Sequence, residues 1–286
     1  IKISYMTYSK ISQWYDLSED VIVLTGAAGK LGKHYANAFL EANAKVALFD
    51  ASQEALDEYV SNLEESHRQN VLSIVCDISN KEEVIDSFDK VKNTFGNCSI
   101  LINNAAINPK VSSDVEKSLI SNRLENFNVN AWDSELDVGL KGAFLCSKVF
   151  GNTMANELGG GIILNIASDL SVIAPDQRLY RKDGIKLAKQ NVKPITYSVI
   201  KFGLVGLTKY ISTYWCEKNI RCNSLSPGGV FLDQDKYFVE KLTQQIPLGR
   251  MASPDEYRSA IQFLCSDASS YMTGHNLVID GGRTTW

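Results

Sequence analysis

The 286-residue chain is poor in the residues that build special frameworks. Its six cysteines, Cys76, Cys98, Cys146, Cys216, Cys222 and Cys265, form no C-x-x-C pair, which excludes a zinc knuckle or a dithiol redox motif. They read as small hydrophobes packed in a reducing compartment. Only three histidines occur, His34, His67 and His275, far apart and without metal-ligand spacing, so no metal site is expected. No run approaches the roughly 18 to 20 apolar residues that cross a bilayer. The opening IKISYMTYSKISQWYDLSED lacks the apolar stretch of a signal peptide. These absences predict a soluble, cytoplasmic protein. A formal net charge of −4 leaves little excess of either sign, which argues against nucleic-acid binding by phosphate neutralisation. No Pro/Gly/Ser-rich linker and no short repeat divides the chain. One domain is expected over residues 19–286, preceded by an arm at 1–18.

What the chain does have is 44% hydrophobic and 9% aromatic residues, enough to bury a full core. That material is divided into short runs: VIVLTG (21–26), KVALFD (45–50), VLSIVCD (71–77), SILINNA (99–105), GIILNIAS (161–168), IRCNSLSP (220–227) and NLVID (276–280). Between them lie amphipathic stretches such as GKHYANAFLEAN (32–43) and KEEVIDSFDKVKNTFG (81–96). Short buried runs separated by helices are the pattern of a parallel sheet with right-handed crossovers. The expected fold class is α/β: a single doubly wound domain with a seven-stranded parallel sheet and helices on both faces.

TGAAGKLG (25–32) follows the first run directly and opens the first helix, with Gly26, Gly29 and Gly32 three apart. Glycines there let the chain turn tightly and let a pyrophosphate approach the backbone at a helix N-terminus. Asp50 ends the next run, where a carboxylate accepts ribose hydroxyls and repels a 2′-phosphate. This favours NAD over NADP; Lys30 in the glycine turn is the opposing vote. A Walker A loop does not fit, because five residues separate Gly26 from Gly32 and His34 follows Lys33 where Ser or Thr is needed. Further on, TYSVIKFG (196–203) places Tyr197 and Lys201 on one face of a helix. A phenol titrates near 10 in water, and a nearby ammonium favours the phenolate. Such a pair is common by chance on surface helices, so its weight comes from its surroundings.

Those surroundings carry a resemblance. The ordered set TGAAGKLG, Asp50, CDI (76–78), NNAA (103–106), NIAS (165–168), YSVIK (197–201), SPGG (226–229), TG (273–274) and DGG (280–282) is similar to the short-chain dehydrogenase/reductase family. The resemblance covers the chain from about residue 19. It implies a Rossmann fold, a nicotinamide cofactor, hydride transfer at a carbonyl or alcohol carbon, no metal in the chemistry, and a homodimer or homotetramer packed through helices around 140–156 and 197–218. It also implies residue roles. Tyr197 is the general acid/base, Lys201 lowers its pKa and binds the nicotinamide ribose, and Ser168 holds the substrate oxygen. The cofactor is expected along Gly26, Ala28, Gly29, Lys30, Leu31 and Asp50, with Asp77 and Ile78 flanking the adenine. Asn104, Ala105 and Ala106 line it, and Pro227, Gly228 and Val230 close over the nicotinamide.

Four departures from the family pattern stand out. The T-G-x-x-G-x-x-G spacing is that of the family's extended branch, which holds epimerases and dehydratases, yet DGG at 280–282 leaves no room for that branch's substrate domain. Gly139 occupies the position where the family commonly has an asparagine, and is expected to leave space for water without supplying a side chain. Ser168 and Tyr197 are 29 residues apart because of an extra stretch at 175–194 that carries six basic and two acidic residues. That stretch reads either as a solvated loop or as a rim attracting a small anionic substrate, such as a sugar phosphate. The stretch 107–130 is also long, and its Asn108 and Asn126–Asn130 region either binds hydroxyls or caps helices. The terminal TTW and SDLSVIAP spelling resembles members encoded with bacterial surface-sugar pathways. An NAD-dependent oxidoreductase of an alcohol or carbonyl carbon leads this reading. An NAD-retaining epimerase or dehydratase and a non-catalytic NAD-binding regulator are the alternatives.

Overall fold

The computed structural model describes residues 10–107 and 122–286; Asn108 lies outside the described residues. All seven expected runs form strands: β1 Val21–Thr25, β2 Lys45–Asp50, β3 Val71–Val75, β4 Ile100–Asn103, β5 Gly161–Ile166, β6 Ile220–Pro227 and β7 Asn276–Ile279. They make one sheet in the order β3-β2-β1-β4-β5-β6-β7. Every pairing is parallel. The helices are α1 Gly32–Glu41, α2 Gln53–Ser61, α3 Glu65–Arg68, α4 Lys81–Phe95, α5 Val129–Leu136, α6 Ala143–Thr153, α7 Ile195–Tyr214, α8 Lys236–Thr243 and α9 Arg258–Leu264.

The strand runs are continuously apolar because both sheet faces are covered. Successive β1 side chains enter opposite halves of the core. Ile22 and Leu24 join Tyr35 and Phe39 of α1 and Ile261 and Leu264 of α9. Val21 and Val23 join Val84 and Val91 of α4 and Cys146 and Phe150 of α6. Leu17, near the end of the segment read as an arm, is 1% exposed and packs in the first of these clusters. Local signals set where the helices begin. Asn80 caps α4 by accepting from Glu82 and Glu83 N–H, and Asn128 caps α5 by accepting from Asn130 and Ala131 N–H. Asn128 is therefore a capping residue, one of the two readings its sequence context allows.

Five cysteines are buried and Cys216 is exposed, all of them as free thiols. Burial pushes the Cys98 thiol up to about 12, so it is inert at neutral pH. Among the described residues no His/Cys/Asp/Glu group is placed to hold a metal, and His34 pairs with Asp255 at 2.8 Å. No described helix is long and apolar enough to cross a membrane.

The sheet order reverses direction between β1 and β4, which opens a crevice at their carboxyl ends. Thr25 braces that junction. Its hydroxyl donates to the Ile102 carbonyl and accepts from the N–H groups of Asn104 and Ala105. Gly26 comes next, with φ +62°, and a Cβ there would lie 2.7 Å from Ala105 Cα. Gly26→Ala is therefore expected to cost about 1–3 kcal/mol through backbone strain and overlap. Urea denaturation should show a lower midpoint with an unchanged slope.

Candidate active site

The crevice is built from the loops that follow successive parallel strands. After β1, the glycine turn exposes Gly29 and Lys30, and Leu31 is half-buried. Gly32 packs so tightly that an added Cβ would lie 2.3 Å from the Gly26 carbonyl oxygen. Asn104, just past β4, donates from its side-chain amide to the Thr25 and Gly26 carbonyls at 3.0 Å each. Asp50 ends β2 and faces the same turn: Oδ2 accepts from Ala28 N–H at 3.0 Å and Oδ1 from Ser52 N–H at 3.2 Å. Each carboxylate oxygen has a further lone pair to offer. The exposed Asp77 lies past β3, where Oδ1 accepts from Ser79, and the buried Ile78 lies against Gly142. Ala106 is exposed and Ala105 half-buried beyond β4. The buried Pro227 ends β6, and the half-buried Gly228 follows it, its N–H donating to Ile279 O at 2.8 Å. Val230 bridges Ala252.

Ser168, Tyr197 and Lys201 are brought together between β5 and α7. Ser168 is 5% exposed and caps the short turn Asp169–Ser171. Tyr197 and Lys201 lie one helical turn apart at the start of α7. The Lys201 ammonium, 5.8 Å from the Tyr197 ring centroid, donates to the Ile166 carbonyl at 2.7 Å. Burial and the nearby Lys193 charge lower Lys201 to about 8. Burial raises the Tyr197 phenol above its ordinary value, and the Ser168 hydroxyl pulls it back as a hydrogen-bond partner. Desolvation of the ring dominates, and Ser168 is the leading opposing contact.

The structure adds four charged residues that the sequence reading did not place here. Lys193, counted in sequence as one charge of the insertion, sits 3.6 Å from the Tyr197 ring centroid. Burial lowers it to about 8, against the raising effect of Asp169 and Glu135. Glu135 of α5 is 6% exposed and accepts a short hydrogen bond from the Thr196 hydroxyl, next to the tyrosine. Asp169 follows the serine and pairs with Arg283, from the segment after β7, at 2.6 Å. Asp169 alone carried a signal, its adjacency to Ser168; the other three are brought in by long-range packing.

Comparison with known proteins bears directly on this geometry. A family model described as "Enoyl-(Acyl carrier protein) reductase" matches residues 26–284. The chain is 30% identical over 284 residues to "NAD-dependent glycerol dehydrogenase" of Listeria innocua, covering 98% of this chain and 99% of that protein. It is 31% identical over 278 residues to "D-threitol dehydrogenase" of Mycolicibacterium smegmatis, covering 94% and 95%. A crystal structure of a short chain dehydrogenase from Leptospira borgpetersenii with bound NAD+ superposes with a TM-score of 0.80 at 28% identity, covering 99% of each chain. The chain belongs to the short-chain dehydrogenase/reductase family. It is an oxidoreductase that acts on CH–OH groups.

Two departures of this dehydrogenase from the family pattern take physical form. Gly139 lies in a π-helical turn, Asp137–Gly142, and is buried. A Cβ there would lie 2.8 Å from Ile200 Cγ2 and 3.0 Å from its Cδ1. This corrects the expectation of open space for water: Ile200 of α7 fills it. The 175–194 insertion is tied down rather than loose. Gln190 accepts from Lys182 N–H and donates to Lys182 O and Ile185 O, and Lys193 N–H donates to Gln177 Oε1 at 2.8 Å. Its charges are partly spent locally: Arg178 pairs with Asp176 at 2.8 Å and Lys182 with Asp235 at 3.8 Å. The Arg178 contact holds the Asp176 carboxyl well below the usual carboxylate range. A separate cavity of about 400 Å³, lined by Phe231, Val239, Thr243 and Met251, contains none of Ser168, Tyr197 or Lys201.

Because Ile200 is β-branched and 4% exposed, Gly139→Asn must displace it. That variant is expected to lose about 1–3 kcal/mol, as for other overpacked cores. Adding Ile200→Ala should recover part of the loss. Thermal unfolding of the single and double variants checks both.

Proposed function

We propose that this dehydrogenase is an NAD(H)-dependent oxidoreductase that transfers a hydride between nicotinamide and the CH–OH carbon of a small polyol, with Tyr197 as general acid/base. The observation that carries the reading is convergence. Ser168, Tyr197 and Lys201 meet past β5, on the same sheet edge as the glycine turn and Asp50.

The residues present fit a dinucleotide. The turn is a cradle that a Cβ at Gly26 or Gly32 would fill. Gly26, Ala28, Gly29, Lys30 and Leu31 would take the pyrophosphate at the start of α1. Asp50, held by Ala28 and Ser52 N–H groups, would accept the ribose hydroxyls and repel a 2′-phosphate, which supports NAD. Asp77, Ile78, Asn104, Ala105 and Ala106 would border the adenosine side, and Pro227, Gly228 and Val230 the nicotinamide side. When bound, the dinucleotide supplies the hydride acceptor or donor.

The protein's own work is proton transfer and orientation. In the oxidative direction Tyr197 takes the hydroxyl proton of the substrate, and in the reductive direction it returns it. Ser168 keeps the phenol aimed at the reacting oxygen. The Lys201 ammonium, anchored on Ile166 O, and Lys193 over the ring face supply positive charge that favours the phenolate as it forms. The substrate class follows from two observations. The relatives named for glycerol and threitol act on uncharged polyols. Arg178 and Lys182 of the insertion are paired with Asp176 and Asp235, which leaves them less charge for the anionic substrate considered from sequence.

Tyr197→Phe is expected to lower kcat for polyol oxidation by about a hundredfold or more. The NAD dissociation constant should stay within about twofold, since the ring remains in place. Asp50→Ala should narrow the preference for NAD over NADP. Steady-state kinetics with both cofactors over a polyol panel, plus calorimetric NAD binding, check these. Normal turnover by Tyr197→Phe would sink the mechanism.

A further inference from the structure

The catalytic serine sits within a run of buried polar contacts that begins in the segment after β7. Arg283 Nη1 donates to Asp169 Oδ2 at 2.6 Å. Arg283, Asp169 and Ser168 are 6%, 3% and 5% exposed, so solvent does not screen them. Asp169 Oδ1 accepts the Ser168 hydroxyl at 2.9 Å and Leu170 N–H at 2.8 Å. Ser168 Oγ also accepts from Leu170 N–H at 3.2 Å. A serine oxygen has one hydrogen and two lone pairs. The hydrogen goes to Asp169 and one lone pair to Leu170.

We propose that Asp169 and Arg283 are positioning residues for this dehydrogenase: Asp169 anchors the Ser168 hydroxyl, and the Asp169–Arg283 pair sets the balance of buried charge beside Tyr197. The proposal rests on the reading of Tyr197 as the acid/base. Asp169 does the orienting, and Arg283 balances its charge inside the protein. Without that balance, a buried carboxylate this near would oppose formation of the phenolate. The two charges accordingly act on Tyr197 in opposite senses, Asp169 raising its titration and Arg283 lowering it. Arg283 is steadied by Gln245, whose Oε1 accepts from Nη2 at 3.4 Å. Gln245 also donates to Asp176 of the insertion at 2.6 Å. The insertion and the last segment of the chain therefore meet behind the serine.

The opposite signs make the proposal testable without turnover. The other titratable groups facing Tyr197 are Lys201 from its own helix, Lys193 and Tyr180 from the insertion, Tyr35 from α1, and Glu135 across Thr196. All stay constant in the variants. Tyrosinate absorbance is titrated in each protein and in the same protein carrying Tyr197→Phe; the difference isolates Tyr197. Asp169→Asn should move that titration to lower pH and Arg283→Met to higher pH, each by about half a unit or more. Asp169→Asn/Arg283→Met should fall between them, and Arg283→Lys should stay near wild type. In polyol oxidation the acidic limb of kcat/KM should shift with the same signs while NAD affinity is unchanged. Shifts of one common sign, or none, overturn the proposal. Should Arg283→Met not fold, Asp169→Asn decides, and absence of a downward shift overturns it. Opposed shifts without any polyol turnover would uphold this inference and reject the proposed activity. Normal turnover with unshifted titrations would do the reverse.

Discussion

Parallel pairing of all seven strands is the constraint on which the rest depends. Parallel neighbours cannot be joined by tight hairpins, so each strand is followed by a crossover that returns the chain to the same end of the sheet. Every loop that follows a strand therefore opens at one edge. That edge collects the glycine turn after β1, Asp50 at the end of β2, Asn104 after β4, Ser168 after β5 and Gly228 after β6. The β1–β4 junction is its keystone. The Thr25 hydroxyl and the Asn104 side chain lock two loops from opposite halves of the sheet onto each other. The crevice is consequently a rigid product of the sheet order.

Onto that edge the protein brings several charged side chains removed from solvent. The buried Lys201, Asp169, Arg283 and Glu135 and the half-buried Lys193 all lie within reach of Tyr197 or of the residues beside it. Burying any one of them alone would be costly, and breaking a buried pair typically costs about 3–5 kcal/mol. The arrangement persists because each charge has a partner: a strand carbonyl for Lys201, an aromatic face for Lys193, a guanidinium for Asp169, a threonine hydroxyl for Glu135. Low solvent access then makes each charge count at the phenol.

The strands were legible because a sheet covered on both faces demands continuous apolar runs, and VIVLTG, KVALFD and GIILNIAS are such runs. The glycine turn was legible because a tight strand-to-helix turn demands glycine at a short spacing, and Asp50 because it ends its apolar run. The meaning of Gly139 was not. Whether a missing side chain leaves a hole depends on what packs opposite, and Ile200 comes from a helix more than fifty residues later. The insertion was similarly opaque. Its net charge is visible in the sequence, but its pairing with Asp235 and the placement of Lys193 over the Tyr197 ring depend on how it folds back.

By itself, then, the sequence determined the α/β class, the seven strands and the glycine turn after β1, since each is written in local pattern or short spacing; the serine–tyrosine–lysine set was singled out by the family resemblance. Only the tertiary structure decided which charges surround the tyrosine. Arg283 lies 114 residues from Asp169 and beyond the last strand. Nothing local to either residue announces the pair. Electrostatic effect depends on distance and burial, and both are set by the packing of the whole chain rather than by any stretch of it.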